Sequence, residues 1–84
     1  MSGKHLRTLA AVFEDPVRSN ILWKEVVSLL RHLGAKVESR GGSCVAFTLG
    51  EHTMTFHRPH PGKELKPYAV RDLRTFLIER GVEP

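Results

Sequence analysis

Cys44, His57 and His60 are the side chains of this sequence best suited to chemistry near neutral pH. An imidazole titrates close to physiological pH, so it gives and takes protons without extreme tuning. A thiol becomes a nucleophile when a neighbouring base or cation favours the thiolate. Cations accompany these groups in the chain. Arg58, Lys63 and Lys66 follow the first of the two histidines, and Lys36 and Arg40 precede the cysteine. Lysine and arginine hold phosphates, and a histidine beside them can move protons on the bound group. Together the residues read as an anion site. The net charge of +4 does not by itself separate such a site from a solvated sheet face carrying scattered polar groups.

Two other chemistries draw on the same residues. A Cys44–His57 ion pair would make a covalent nucleophile, but the sequence offers no third group to orient the base and no oxyanion site. A half-exposed strand cysteine is the plainer reading. Metal binding would use Cys44, His52, His57 and His60. Their spacing is not that of a structural zinc motif, and Pro59 splits the last two, so neither a metal nor a cofactor is expected. His60 on its own reads equally well as a loop histidine without a role.

The elements that must position these groups follow from periodicity. Leu6, Leu9, Ala10 and Phe13 form a helical stripe that ends at Asp15-Pro16, and residues 16–20 read as a linker. Trp23, Val26, Val27, Leu30 and Leu33 form a second stripe, with Asn20 the best N-cap and Gly34 the terminating residue. In that stripe Trp23 reads as core rather than as a platform for a nucleic-acid base. The period then changes to two. Ala35, Val37 and Ser39 alternate with Lys36, Glu38 and Arg40, Gly41-Gly42 turns the chain, and residues 43–49 and 53–57 alternate again. A polar loop over residues 58–66 leads to Pro67 at the first position of a last helix, whose Val70, Leu73, Phe76 and Leu77 face inward. Tyr68 is expected to be partly buried. Arg71 and Arg74 form a basic ridge of the kind that is usually solvated, and His5, His32 and His52 are expected at the surface.

One turn sets the register of the site. Gly50-Glu51 suits a two-residue type II′ hairpin. With that turn Leu49 opposes His52, Phe47 opposes Met54, and Val45 opposes Phe56. Cys44 then faces His57 on the outer side, with Cβ atoms about 4.5–5.5 Å apart. A one-residue slip would send one strand's apolar set into water, whereas a longer loop of the same parity would pair Cys44 with the diagonal neighbours of His57.

Composition bounds the rest. A chain of 84 residues with 40% hydrophobic and 26% charged residues is one soluble domain at most. A single cysteine excludes a disulfide within the chain and fits a reducing, cytoplasmic setting. The apolar stretch over residues 9–13 is too short for a secretory signal or a membrane span. Multi-domain enzymes, disulfide scaffolds and membrane proteins are therefore excluded.

Residues 21–82 resemble the HicA toxins of type II toxin–antitoxin systems. The resemblance is carried by a helix ending Leu33-Gly34, a basic strand, and Gly42-Ser43-Cys44-Val45-Ala46-Phe47. It continues through Arg58-Pro59-His60-Pro61-Gly62-Lys63-Glu64-Leu65-Lys66 and a last helix ending at Gly81. It implies an α+β fold of the α-β-β-β-α, double-stranded-RNA-binding-domain-like kind, in which helices cover one face of a three-stranded antiparallel sheet. Residues 1–20 are then an additional helical arm and linker, and residues 21–84 the HicA-like domain. The resemblance also implies an mRNA-cleaving toxin that needs no metal and is held inactive by a HicB antitoxin. The family motif is Gly-Ser-His, with a catalytic histidine. Gly42 and Ser43 match it, and Cys44 stands where the histidine would be. His60 matches a second position at which the family often has histidine.

Metal-free RNA cleavage uses the 2′-hydroxyl as internal nucleophile. It needs a base, an acid and positive charge around the phosphorane. Cys44, His57 and His60 are the expected catalytic group, with His57 and His60 as base and acid. Lys36, Arg40, Ser43, Arg58, Lys63 and Lys66 are the expected RNA contacts. Cys44 is the weakest of the catalytic three, because a thiol of ordinary pKa, about 8.5, is a poor proton carrier unless His57 lowers it. Loss of the family histidine leaves open a module of the same fold that binds RNA or a protein without cutting.

Overall fold

The computed structural model describes residues 2–60 and 62–84; Met1 and Pro61, the latter within the loop read over residues 58–66, lie outside the described residues. The order of elements is α1 (Gly3–Val12), α2 (Trp23–His32), β1 (Lys36–Ser39), β2 (Cys44–Leu49), β3 (His52–His57) and α3 (Pro67–Glu79). The strands form one antiparallel sheet in the order β1-β2-β3. The fold is α+β, as expected, with α1 as an additional leading helix.

The alternation of β2 and β3 builds the core. Val45, Phe47 and Phe56 are buried, and Val37, Leu49 and Met54 pack beside them. Against this face lie Val26, Leu29 and Leu30 of α2 and Val70, Leu73 and Leu77 of α3. Gly50 has φ +64° whereas Glu51 does not have positive φ, the sign pattern of a type II′ turn. The β2–β3 register follows: Leu49 pairs with His52, Phe47 with Met54, Val45 with Phe56, and Cys44 with His57. On the outer face Ala46 is nonetheless buried, because Glu38 and Thr55 flank this small residue on the central strand.

Four expectations are corrected. First, Asn20 does not cap α2, which begins at Trp23 with Leu22 as N-cap and no side-chain cap bond. Residues 21–23 instead pair with the loop before α3. Leu65 N–H donates to Ile21 O at 2.9 Å, Trp23 N–H donates to Lys63 O at 2.8 Å, and Leu22 bridges Glu64. The orphan amide of Trp23 is thus satisfied by backbone, and Asn20 Oδ1 accepts from Arg18 Nε at 3.0 Å. Second, Arg74 is not a solvated ridge residue. Its Nε donates to Val12 O at 3.0 Å and one terminal nitrogen donates to Glu14 O at 2.7 Å. The guanidinium therefore meets the carbonyl end of α1, where positive charge is favoured. Third, Tyr68 is 52% exposed, because it sits in the first turn of α3 ahead of the inward stripe. Fourth, His5 is half-buried. It makes a 2.9 Å hydrogen bond to Ser28 Oγ and stacks on His32, with ring centroids 4.4 Å apart.

Arg74 fastens the arm. Leu9 and Val12 of α1 are buried in the same core as α2 and α3. Hydrogen bonds from a charged donor contribute about 1.5–3 kcal/mol when well formed. Arg74→Ala is expected to lower the unfolding free energy by about 1–2 kcal/mol in urea titration, less than that range because the group is only half-buried. Arg71→Ala, at an exposed position, is expected to stay within about 0.5 kcal/mol.

Burial, with the charges of His32 and Lys4, holds the His5 imidazole below its usual pKa. Stability from neutral His5 is therefore present above the unfolded-state value near 6.5 and lost as pH falls through the lower folded-state value. Urea midpoints measured from pH 7 to pH 5 are expected to fall, and to fall less steeply in His5→Gln.

Candidate functional site

The outer face of the sheet is set by the same register. Lys36, Thr48 and Thr53 form one row, and Glu38, Ala46 and Thr55 the next. In the third row Cys44 faces His57, and Arg40 N–H donates to Cys44 O at 2.8 Å from the other side. Arg58 N–H donates to Ser43 O at 2.7 Å, which makes Ser43–Arg58 a hydrogen-bonded pair and Cys44–His57 the closer, non-hydrogen-bonded kind. Proximity does not become a bond, however: among the described residues no hydrogen bond joins Cys44 to His57. Cys44 is half-buried and His57 is exposed.

The partner of His57 is Ser43. Its Oγ lies 3.3 Å from His57 Nδ1. Gly42, with φ +56°, turns the chain immediately before this serine in a conformation that side-chain-bearing residues rarely adopt. A hydroxyl on Nδ1 orients the ring and leaves Nε2 for another partner.

At this end of the sheet a cleft of about 350 Å³ opens between the end of β3 and the start of α3. Ser43, His57, Arg58, His60, Lys66 and Tyr68 line it, with Pro59, Leu65 and Ala69. Both histidines of the sequence-derived group are therefore in one hollow, and Cys44 is beside it on the sheet rather than among its lining residues.

The expected RNA contacts divide in the same way. Ser43, Arg58 and Lys66 line the cleft. Lys63 lines a neighbouring hollow with Trp23, Lys24, Arg58 and Pro59. Arg40 is in the row of Cys44 and lies 3.8 Å from Glu38. Lys36 is 3.7 Å from Glu38 in the far row, four residues along the strand and about 13 Å from the Cys44 row. Glu38 thus offsets the charge of the two β1-side cations, while among the described residues none of Arg58, Lys63 and Lys66 is in an ion pair.

Tyr68, weighed from the sequence as an RNA or antitoxin contact as well as a partly buried residue, lines the cleft. Its signal was its place one residue after Lys66-Pro67. His52, weighed as a metal ligand, pairs with Leu49 at the opposite end of β3 from His57. Among the described residues no three His, Cys, Asp or Glu side chains converge.

Two imidazoles in one cleft, one oriented by a hydroxyl and both near unneutralised cations, can hold a phosphodiester and exchange protons with it.

A family model described as HicA toxin of bacterial toxin-antitoxin matches residues 23–78, from the start of α2 to the last turn of α3. No curated protein and no solved structure matches the chain.

If Ser43 orients the His57 ring, Ser43→Ala is expected to change the tautomer balance of His57, read from imidazole ¹⁵N shifts. The amide spectrum of α1 and α2 should be unaffected. An unchanged His57 ring spectrum would remove Ser43 from this role.

Proposed function

The chain belongs to the HicA toxin family, and from that premise we propose that it is a metal-independent mRNA endoribonuclease acting through His57 and His60. As a toxin of this family it has an antitoxin partner; we take the antitoxin to be of the HicB type. Cellular mRNA as substrate goes with action in the cytoplasm, and no described helix is long and apolar enough to cross a membrane.

The observation that carries this reading is the cleft that His57 and His60 share with Arg58 and Lys66. His57, turned by Ser43, takes the proton of an RNA 2′-hydroxyl. The 2′-oxygen attacks the adjacent phosphorus and a 2′,3′-cyclic phosphate forms as the bond to the 5′-oxygen breaks. His60 donates a proton to that leaving oxygen. Arg58 and Lys66 stabilise the charge that builds on the non-bridging oxygens. In this reading His57 stands in for the imidazole that the family motif has at position 44, reaching the same row from the facing strand.

A second reading has its own support. Cys44 replaces the motif histidine and does not line the cleft, which favours a module that binds RNA without cutting it.

Cleavage of labelled mRNA by the full chain in EDTA tests both. The first reading expects fragments, and a loss of about 100- to 10,000-fold in each of His57→Ala and His60→Ala. It also expects Cys44→His to raise the rate, and expression of the chain without its antitoxin to arrest growth. Unchanged cleavage in both histidine variants would remove them from the mechanism. Retained RNA binding with no cleavage would favour the second reading.

A further inference from the structure

The hollow next to the cleft has a different chemistry. About 520 Å³ in volume, it is walled by Leu22, Trp23 and Pro59 and carries Lys24, Arg58 and Lys63. The Trp23 ring is held from behind. Its centroid lies 5.7 Å from that of Phe47, tilted by 55°, and 6.1 Å from that of Phe56 in an edge-on contact. Its backbone is fixed by the Trp23 N–H bond to Lys63 O at 2.8 Å. The indole is only half-buried, so this immobilised ring still presents surface to the hollow.

An aromatic surface ringed by cations selects a ligand that is both flat and anionic. Among the described residues none of Lys24, Arg58 and Lys63 is in an ion pair. Arg58 and Pro59 line this hollow and the histidine cleft alike, so a chain with phosphate in the cleft passes directly into it.

We infer that the hollow is a base-stacking subsite: one unpaired base of single-stranded RNA lies against Trp23, with a flanking phosphate on Arg58 and Lys63. This rests on reading the cleft as an RNA site and adds to it the strandedness of the substrate. A base within a duplex is already stacked on its neighbours and cannot offer a free face. Stacking on an aromatic ring tolerates any base, so the subsite anchors the strand without reading its sequence.

Trp23 is the one tryptophan of the chain, so its fluorescence reports the surroundings of this ring. The full chain is titrated with a 12-nucleotide 2′-O-methyl oligouridylate, which cannot be cleaved, and with a blunt RNA duplex of equal length. Filter retention measures binding independently. The expected result is saturable quenching by the single strand, at the concentrations at which it is retained, and weaker quenching by the duplex. Trp23→Leu keeps apolar bulk against the two phenylalanines and is expected to weaken retention about 5- to 100-fold. The exposed pair Lys24→Ala and Lys63→Ala guards against a Trp23 variant that fails to fold. Together they are expected to reduce the salt slope of binding by roughly 0.7, the value for one phosphate contact on a single strand. Retention of the oligonucleotide with unchanged emission would overturn the subsite and leave the RNA reading standing, as would equal quenching by the duplex. Retention of neither RNA would overturn both.

Discussion

The pairing of β2 with β3 is the constraint on which the site depends, and it is enforced from the other side of the sheet. Val45, Phe47 and Phe56 are buried under the helices. Moving β3 by one residue would expose Phe56 and Met54 and bury polar neighbours. Each large apolar side chain returned to water costs about 1.5–3 kcal/mol. The cross-strand pairs of the outer face are worth only about 0.2–1 kcal/mol each. The core therefore decides which face of each strand turns inward, and the outer face inherits the choice. The Gly50-Glu51 turn selects the exact pairing among those of the same parity, and so places Cys44 opposite His57 and Ser43 within reach of the same ring.

A second constraint brings the cationic loop to that face. No side chain caps the start of α2. Instead residues 21–23 pair with residues 63–65, through Leu65 N–H to Ile21 O and Trp23 N–H to Lys63 O. The short ladder ties the start of α2 to the segment before α3. One wall of each hollow is thereby made of backbone that is already hydrogen-bonded, and Lys63 and Lys66 are carried on a segment with defined placement. Charge is distributed in keeping with this. Glu38 lies near both Lys36 and Arg40 on the β1 side, while Arg58, Lys63 and Lys66 are in no ion pair among the described residues. Among the cations named for the site, those at the β3–α3 end are the ones without an ion pair among the described residues.

What could be read in the sequence follows the range of each interaction. Strand alternation and the Gly50-Glu51 turn are local, so the order of elements and the Cys44–His57 register were legible before any coordinates. Gly34 and Pro67 marked helix ends for the same reason. The features missed depend on segments distant in sequence. Arg74 reaches Val12 and Glu14 across the molecule, and at spacing i, i+3 with Arg71 it looks like any exposed ridge. Asn20 has the chemistry of a cap, but nothing local reveals that a loop forty residues on supplies the backbone partner instead. Trp23 fits a helical stripe and packs on Phe47 and Phe56 as that stripe requires, yet its position in the first turn of α2 leaves part of the ring uncovered.

Position 44 and the two histidines sit in different surroundings. The side chains of β2 on the outer face are those of the central strand, with neighbours on both sides, and Cys44 is accordingly half-buried. His57 and His60 come from the end of the edge strand β3 and from the loop beyond it, where both are exposed. An edge strand and the loop beyond it leave side chains more open to a ligand than a crowded central strand does. The Ser43 hydroxyl points to the same division of labour: it belongs to the motif segment, yet it bonds the imidazole of the neighbouring strand. The segment before β2 thus supports the histidine across from it, on the side of the sheet where Arg58 and Lys66 line the cleft.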